Sequence, residues 1–123
     1  MARILLIEDY DSVRTVLREA LELAGHTVIE ARNGAEGLDL FPQAGADLVI
    51  TDIVMPDKDG LDVVTALREQ VPPVNIIAIS GARDSAEDYL DLAHRMAAMK
   101  VLLKPFSIAA LIAAVDELLT GTV

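Results

Sequence analysis

Five side chains of this sequence have the types and spacing for phosphate chemistry. Glu8 and Asp9 directly follow the aliphatic run Ile4–Ile7. Asp52 follows Leu48–Ile50 after one threonine, Ser80 follows Ile76–Ile79, and Lys104 follows Val101–Leu103. If these runs are strands that end on one rim, three carboxylates, a hydroxyl and an ammonium group converge there. Crowded carboxylates repel one another, and a hard divalent cation relieves the repulsion. Mg²⁺ suits such a place because it takes a few carboxylates together with waters and phosphate oxygens. A carboxylate beside the ion can then act as a nucleophile and form an acyl phosphate. Lys104 supplies a further positive charge, and Ser80 a hydrogen bond to a phosphoryl oxygen.

Taken singly, each residue has a plain explanation. Paired acids after a strand are often a solvated turn, a serine there is a turn former, and a lone lysine is a surface charge. The weight lies in all of them falling at the same end of alternating runs. Those runs are Ile4–Ile7, Thr27–Ile29, Leu48–Ile50, Ile76–Ile79 and Val101–Leu103. They are rich in Val, Ile and Leu with little polar alternation, which predicts strands buried on both faces.

Amphipathic segments lie between the runs. Val13, Val16, Leu17, Ala20, Leu21 and Ala24 follow the spacing of one helix face, and Gly25 ends it. Ile108, Leu111, Ile112, Val115 and Leu119 repeat the pattern, with Ser107 placed to cap the start. Asp84 and Glu87 resemble a capping box, and Pro72-Pro73 closes the preceding helix. Regular strand–helix alternation predicts an α/β fold, a five-stranded parallel sheet covered by helices on both faces. Its expected order is the flavodoxin-like 2-1-3-4-5, a three-layer (βα)5 sandwich whose ligands bind beside the point where strand order reverses.

Composition narrows the functional classes. The chain has 123 residues, 53% of them hydrophobic, enough for one domain with a real core. A net charge of -10 makes direct binding to a polyanion such as nucleic acid unfavourable. With no cysteine, disulfides and thiolate metal sites are excluded. No apolar run approaches the roughly 18 residues of a membrane span, so no membrane partner is expected. The start does not read as a secretory signal, and a cytoplasmic location is the expectation. His26 and His94 lack ligand spacing and read as packing or surface residues.

The segments LLIEDYDSVR, LVITDIVMPDKDG, IIAISG and VLLKPF together resemble the response-regulator receiver domains of two-component signalling, similar to the chemotaxis-regulator fold. The resemblance covers essentially the whole chain. It implies that Asp52 is the phosphoacceptor and that Mg²⁺ is the cofactor. It implies that Asp9 is a direct metal ligand, with Glu8 acting mostly through a metal-bound water and Val54 offering its backbone carbonyl. Ser80 corresponds to the hydroxyl that moves toward the phosphoryl group, and Lys104 to the lysine that pairs with its oxygens. The Lys104-Pro105 bond is expected to be cis, and Gly81 to keep the site accessible. The implied partners are a histidine kinase or a histidine phosphotransfer protein, then an unidentified downstream protein, with a phosphorylation-dependent homodimer as another arrangement.

The chain departs from the family pattern in places. The aromatic residue usual three positions before the lysine is replaced by Val101, which cannot swing between two packings in the same way. The usual aromatic reporter of activation is therefore absent from the face formed by the last strand and the helices on either side of it. HRMAAMK, ending at Lys100, is unusual for the segment before the last strand, and Lys58 stands where an apolar residue is common. A haloacid-dehalogenase-type phosphatase would need a second aspartate at Val54 and a cap domain. A flavin or nucleotide module would need a phosphate-cradling loop where EDYDS stands. The expectation is one receiver domain over residues 1–123, with no output domain after Thr120. It is read as a signalling switch that catalyses only its own phosphorylation and dephosphorylation, not as a turnover enzyme.

Overall fold

The computed structural model describes residues 2–52, 60–69, 74–80, 100–103 and 105–120. The strands are β1 (Arg3–Ile7), β2 (Thr27–Ala31), β3 (Leu48–Asp52), β4 (Asn75–Ser80) and β5 (Lys100–Leu103). The described helices are α1 (Asp11–Leu23), α2 (Gly34–Ala44), α3 (Gly60–Arg68) and α4 (Ile108–Thr120). All strand pairs are parallel, in the order β2-β1-β3-β4-β5, as the alternation predicts. Each expected run lies within a strand. The Asp84–Glu87 box and the Pro72-Pro73 stop lie outside the described residues.

Period-two alternation along β1 divides the core. Leu5 and Ile7 pack on one face with Val49, Ile76, Val63, Val64 and Leu67, beneath α2 and α3. Ile4 and Leu6 pack on the other with Ile50, Ile77, Leu17, Leu21, Leu111 and Val115, beneath α1 and α4. Burial on both faces explains why β1, β3 and β4 read as unbroken aliphatic runs. β2 is a correction to that expectation. It is an edge strand with Thr27 and Glu30 exposed and Val28 and Ile29 half-buried.

Two helix faces also need correction. Val16 is 55% exposed, because the buried stripe of α1 runs through Leu17 and Leu21 and Val16 lies at its margin. Ala24 is the C-cap of that helix and is exposed, while Gly25 supplies the positive φ of 97° that ends it. In α4, Ile108 is 40% exposed. Helical side chains lean toward the N-terminus, so the first residue leans off the end of its helix. The cap expected there is present, with Ser107 Oγ accepting from the Ala110 amide at 3.0 Å.

α2 is anchored next to the site-bearing end of β1. Its N-cap Asn33 accepts from the Glu36 amide at 2.8 Å, and Glu36 reaches back to accept from the Arg32 amide at 3.0 Å. Gly37 allows the close approach to β1, since a Cβ there would lie 2.4 Å from Ile7 Cδ1. His26 is buried at the opposite end of the strands, where Nδ1 accepts from the Ala2 amide at 3.1 Å. It is a packing residue, as read from the sequence. His94 lies outside the described residues.

Candidate functional site

Strand register builds the acidic site. Ile7 in β1 is paired with Thr51 in β3, so the next residues, Glu8 and Asp52, leave adjacent strands side by side. Adjacent strands lie about 4.8 Å apart, which sets the spacing of the residues at their ends. β1 and β3 are also the pair between which strand order reverses, one connection going to β2 and the other toward β4. Asp52 in turn is paired with Ile79, which places Ser80 one residue further out on β4. Ser80 is paired with Leu103, the last described residue of β5.

Glu8, Asp9 and Asp52 come together as expected. One carboxylate oxygen from each lies within 4.8 Å of the others. Glu8 is 0% and Asp52 4% exposed. Glu8 Oε1 accepts from the Tyr10 amide at 3.2 Å, and the Glu8 amide donates to the Ala31 carbonyl at 3.1 Å. Thr51 donates its hydroxyl to the Asp52 carbonyl at 3.1 Å, stiffening the end of β3.

The donor set fits a hard divalent cation. Asp9 Oδ1 is buried and has no hydrogen-bond partner among the described residues. A buried carboxylate oxygen in that state carries a desolvation penalty that a bound cation would remove. All the available side-chain donors are oxygens, the preference of Mg²⁺ rather than of a soft metal. Val54, Gly81 and Lys104 lie outside the described residues, as do the Lys104-Pro105 bond and Lys58. For Ser80 the structure gives the backbone position at the end of β4.

Arg14 is the residue that sequence reasoning missed. Its side chain is 11% exposed and donates to three residues. Nη1 donates to the Glu8 carbonyl at 2.9 Å, Nη2 to Asp11 Oδ1 at 2.6 Å and Nε to Glu30 Oε1 at 3.3 Å. Burial works against its charge, but Asp11 and then Glu30 outweigh that and hold the guanidinium above its ordinary pKa. The one signal available in the sequence was the i,i+3 spacing of Asp11 and Arg14 on the first turn of a helix.

The family profile described as response regulator receiver domain matches residues 4–116. The chain belongs to that family. It is a receiver domain of the two-component response-regulator type, and receiver domains are signalling modules rather than classical enzymes. The response regulator receiver protein CpdR of Brucella abortus is 37% identical over 119 residues, which cover 97% of this chain and 98% of that protein. The sensor kinase CckA of the same organism is also 37% identical, over 96% of this chain but 12% of its own length. Among solved structures, a receiver domain protein from Clostridium thermocellum superposes with a TM-score of 0.88 at 29% identity. That match covers 98% of this chain and 96% of the other. Receiver domains of this family generally hold Mg²⁺ in an acidic pocket, and this chain has the corresponding cluster. No helix among the described residues is long and apolar enough to cross a membrane.

Proposed function

We propose that this receiver accepts a phosphoryl group on Asp52 from the phosphohistidine of a histidine kinase or a histidine phosphotransfer protein. The observation that carries the reading is the meeting of Glu8, Asp9 and Asp52 within 4.8 Å where strand order reverses. Glu8, Asp9, Asp52 and the Val54 carbonyl are the groups that would hold Mg²⁺. When bound, the ion supplies charge neutralisation and orientation for the incoming phosphoryl group.

The residues of the chain divide the remaining work. Asp52 Oδ attacks phosphorus, the bond from phosphorus to the donor imidazole breaks, and the imidazole nitrogen keeps the electron pair. The product is an acyl phosphate on Asp52. Lys104 pairs with the phosphoryl oxygens from the side of β5, and Ser80 donates a hydroxyl hydrogen bond from the end of β4. The modification adds about -1.5 to -2 of charge. Drawing Ser80 and Lys104 toward that charge shifts the loops after β3 and β4 and biases a two-state equilibrium on a neighbouring face. Val101 is half-buried against the core and paired with Ala78, so the readout runs without a swinging aromatic at that position. The signal passes to a protein partner in the cytoplasm, and residues 1–123 act as one receiver unit.

The test is mass spectrometry after incubation with acetyl phosphate and Mg²⁺. One phosphoryl group is expected on the wild-type chain and none on Asp52→Ala. An equal mass gain in the variant would remove Asp52 from the role.

A further inference from the structure

We infer that Arg14 is a positioning residue that sets the aim of both Glu8 and Asp9 through the peptide bond joining them. The inference rests on the reading of those two acids as metal-holding groups and extends it to a residue outside the acidic cluster. The atom Arg14 holds is the Glu8 carbonyl oxygen, at 2.9 Å from Nη1. That carbonyl belongs to the Glu8–Asp9 peptide, whose atoms lie in one plane. Fixing its oxygen fixes the rotation of the plane, and with it the directions in which the two side chains depart.

The other two contacts make the hold rigid. Asp11 belongs to α1 and Glu30 to β2, so the guanidinium ties the β1–α1 turn to its own helix and to the edge strand. Arg18 Nε also lies 3.5 Å from Glu30 Oε2, which steadies the Glu30 carboxylate. A planar fork can donate in three directions at once from a single setting, whereas a lysine ammonium on a flexible stem cannot reproduce that arrangement. The start of α1 needs this support, because its N-cap, Tyr10, makes no side-chain capping bond. Asp11 and Glu30 offset the Arg14 charge, so the role is orientation more than neutralisation of the acids. Groups that orient metal ligands in this way typically change metal affinity by about 10- to 100-fold when removed.

The experiment is an equilibrium Mg²⁺ titration of the intact chain, read by amide NMR shifts, on wild type, Arg14→Lys and Asp52→Ala. Phosphorylation by acetyl phosphate is measured alongside as a function of Mg²⁺ concentration. Arg14→Lys is expected to weaken Mg²⁺ binding by about 10-fold or more while remaining folded. It should also regain most of the wild-type phosphorylation rate at saturating Mg²⁺, a split that general destabilisation does not produce. An unchanged Mg²⁺ dissociation constant in Arg14→Lys, with wild type binding normally, overturns the positioning role and leaves the metal site standing. Absence of Mg²⁺ binding in wild type itself overturns the site and the inference together. Should Arg14→Lys fail to fold, Glu30→Gln takes its place. It removes one anchor of the fork and is expected to weaken Mg²⁺ binding several-fold, and wild-type affinity in that variant overturns the role.

Discussion

Asp9 Oδ1 lies buried among carboxylates with no hydrogen-bond partner from the described residues, next to Glu8 and Asp52. Like charges at such separations repel by a few kcal/mol at the effective dielectric of a protein, roughly 20. In Mg²⁺-free buffer the site is therefore a source of strain. Asp52→Asn is isosteric and removes one charge. It should raise stability without the metal by roughly 1–2 kcal/mol, read as a higher urea midpoint with an unchanged slope. A lower midpoint would mean that the three acids are not crowded as ions.

Helix ends and strand register, more than individual contacts, carry the site. The first turn of α2 shows how the elements are held. Asn33 caps the helix, a contribution of about 1 kcal/mol, and Glu36 accepts from both the Arg32 amide and its guanidinium. The side-chain hydrogen bond from Arg32 is the largest cause of a Glu36 pKa held below the usual carboxylate range. A depressed carboxylate pKa gives stability that is fully present above the unfolded-state pKa and disappears as pH falls through the folded-state value. The stability advantage of wild type over Glu36→Gln should therefore be full at neutral pH and vanish on acidification below the normal glutamate range. Arg32 is 71% exposed, so the advantage should be below about 1 kcal/mol. Denaturation of both proteins across pH 2–7 measures it, and an advantage that grows toward acid would reverse the assignment.

The whole molecule carries a net charge of -10, with Glu8, Asp9 and Asp52 concentrated on one rim of the sheet. Two effects of added salt should separate. General screening of self-repulsion follows ionic strength and is the same for any salt. A specific site adds stability as binding to the native state, about 2.7 kcal/mol at a hundred times the dissociation constant. Thermal midpoints in MgCl2 and in NaCl of equal ionic strength should therefore differ for wild type and coincide for Asp52→Ala. Coinciding midpoints in wild type would count against a Mg²⁺ site. The ion pair between Lys100 and Glu117 joins β5 to α4 with both side chains part-exposed, and it adds little to either effect.

Much of this was legible along the chain. Aliphatic runs of strand length, separated by helical periodicity, leave a parallel sheet with helices on both faces as the arrangement that buries every apolar stripe. The positions of Glu8, Asp9, Asp52 and Ser80 at run ends are set by the same pattern, because a polar residue that breaks an aliphatic run marks where the buried strand stops. Local patterns do not state which strand is an edge, so β2 was read as buried and emerged half-exposed. They also do not state which side of an apolar stripe meets the sheet, which misplaced Val16, or how far the first helical residue leans past its neighbours, which misplaced Ile108. Arg14 illustrates the remaining gap. Besides Asp11 on its own helix, its partners are a backbone carbonyl on the preceding turn and a carboxylate on β2, 16 residues away. Such contacts exist once the register Leu6–Glu30 and the packing of α1 beside β2 bring them into reach, and no spacing within a single element encodes them.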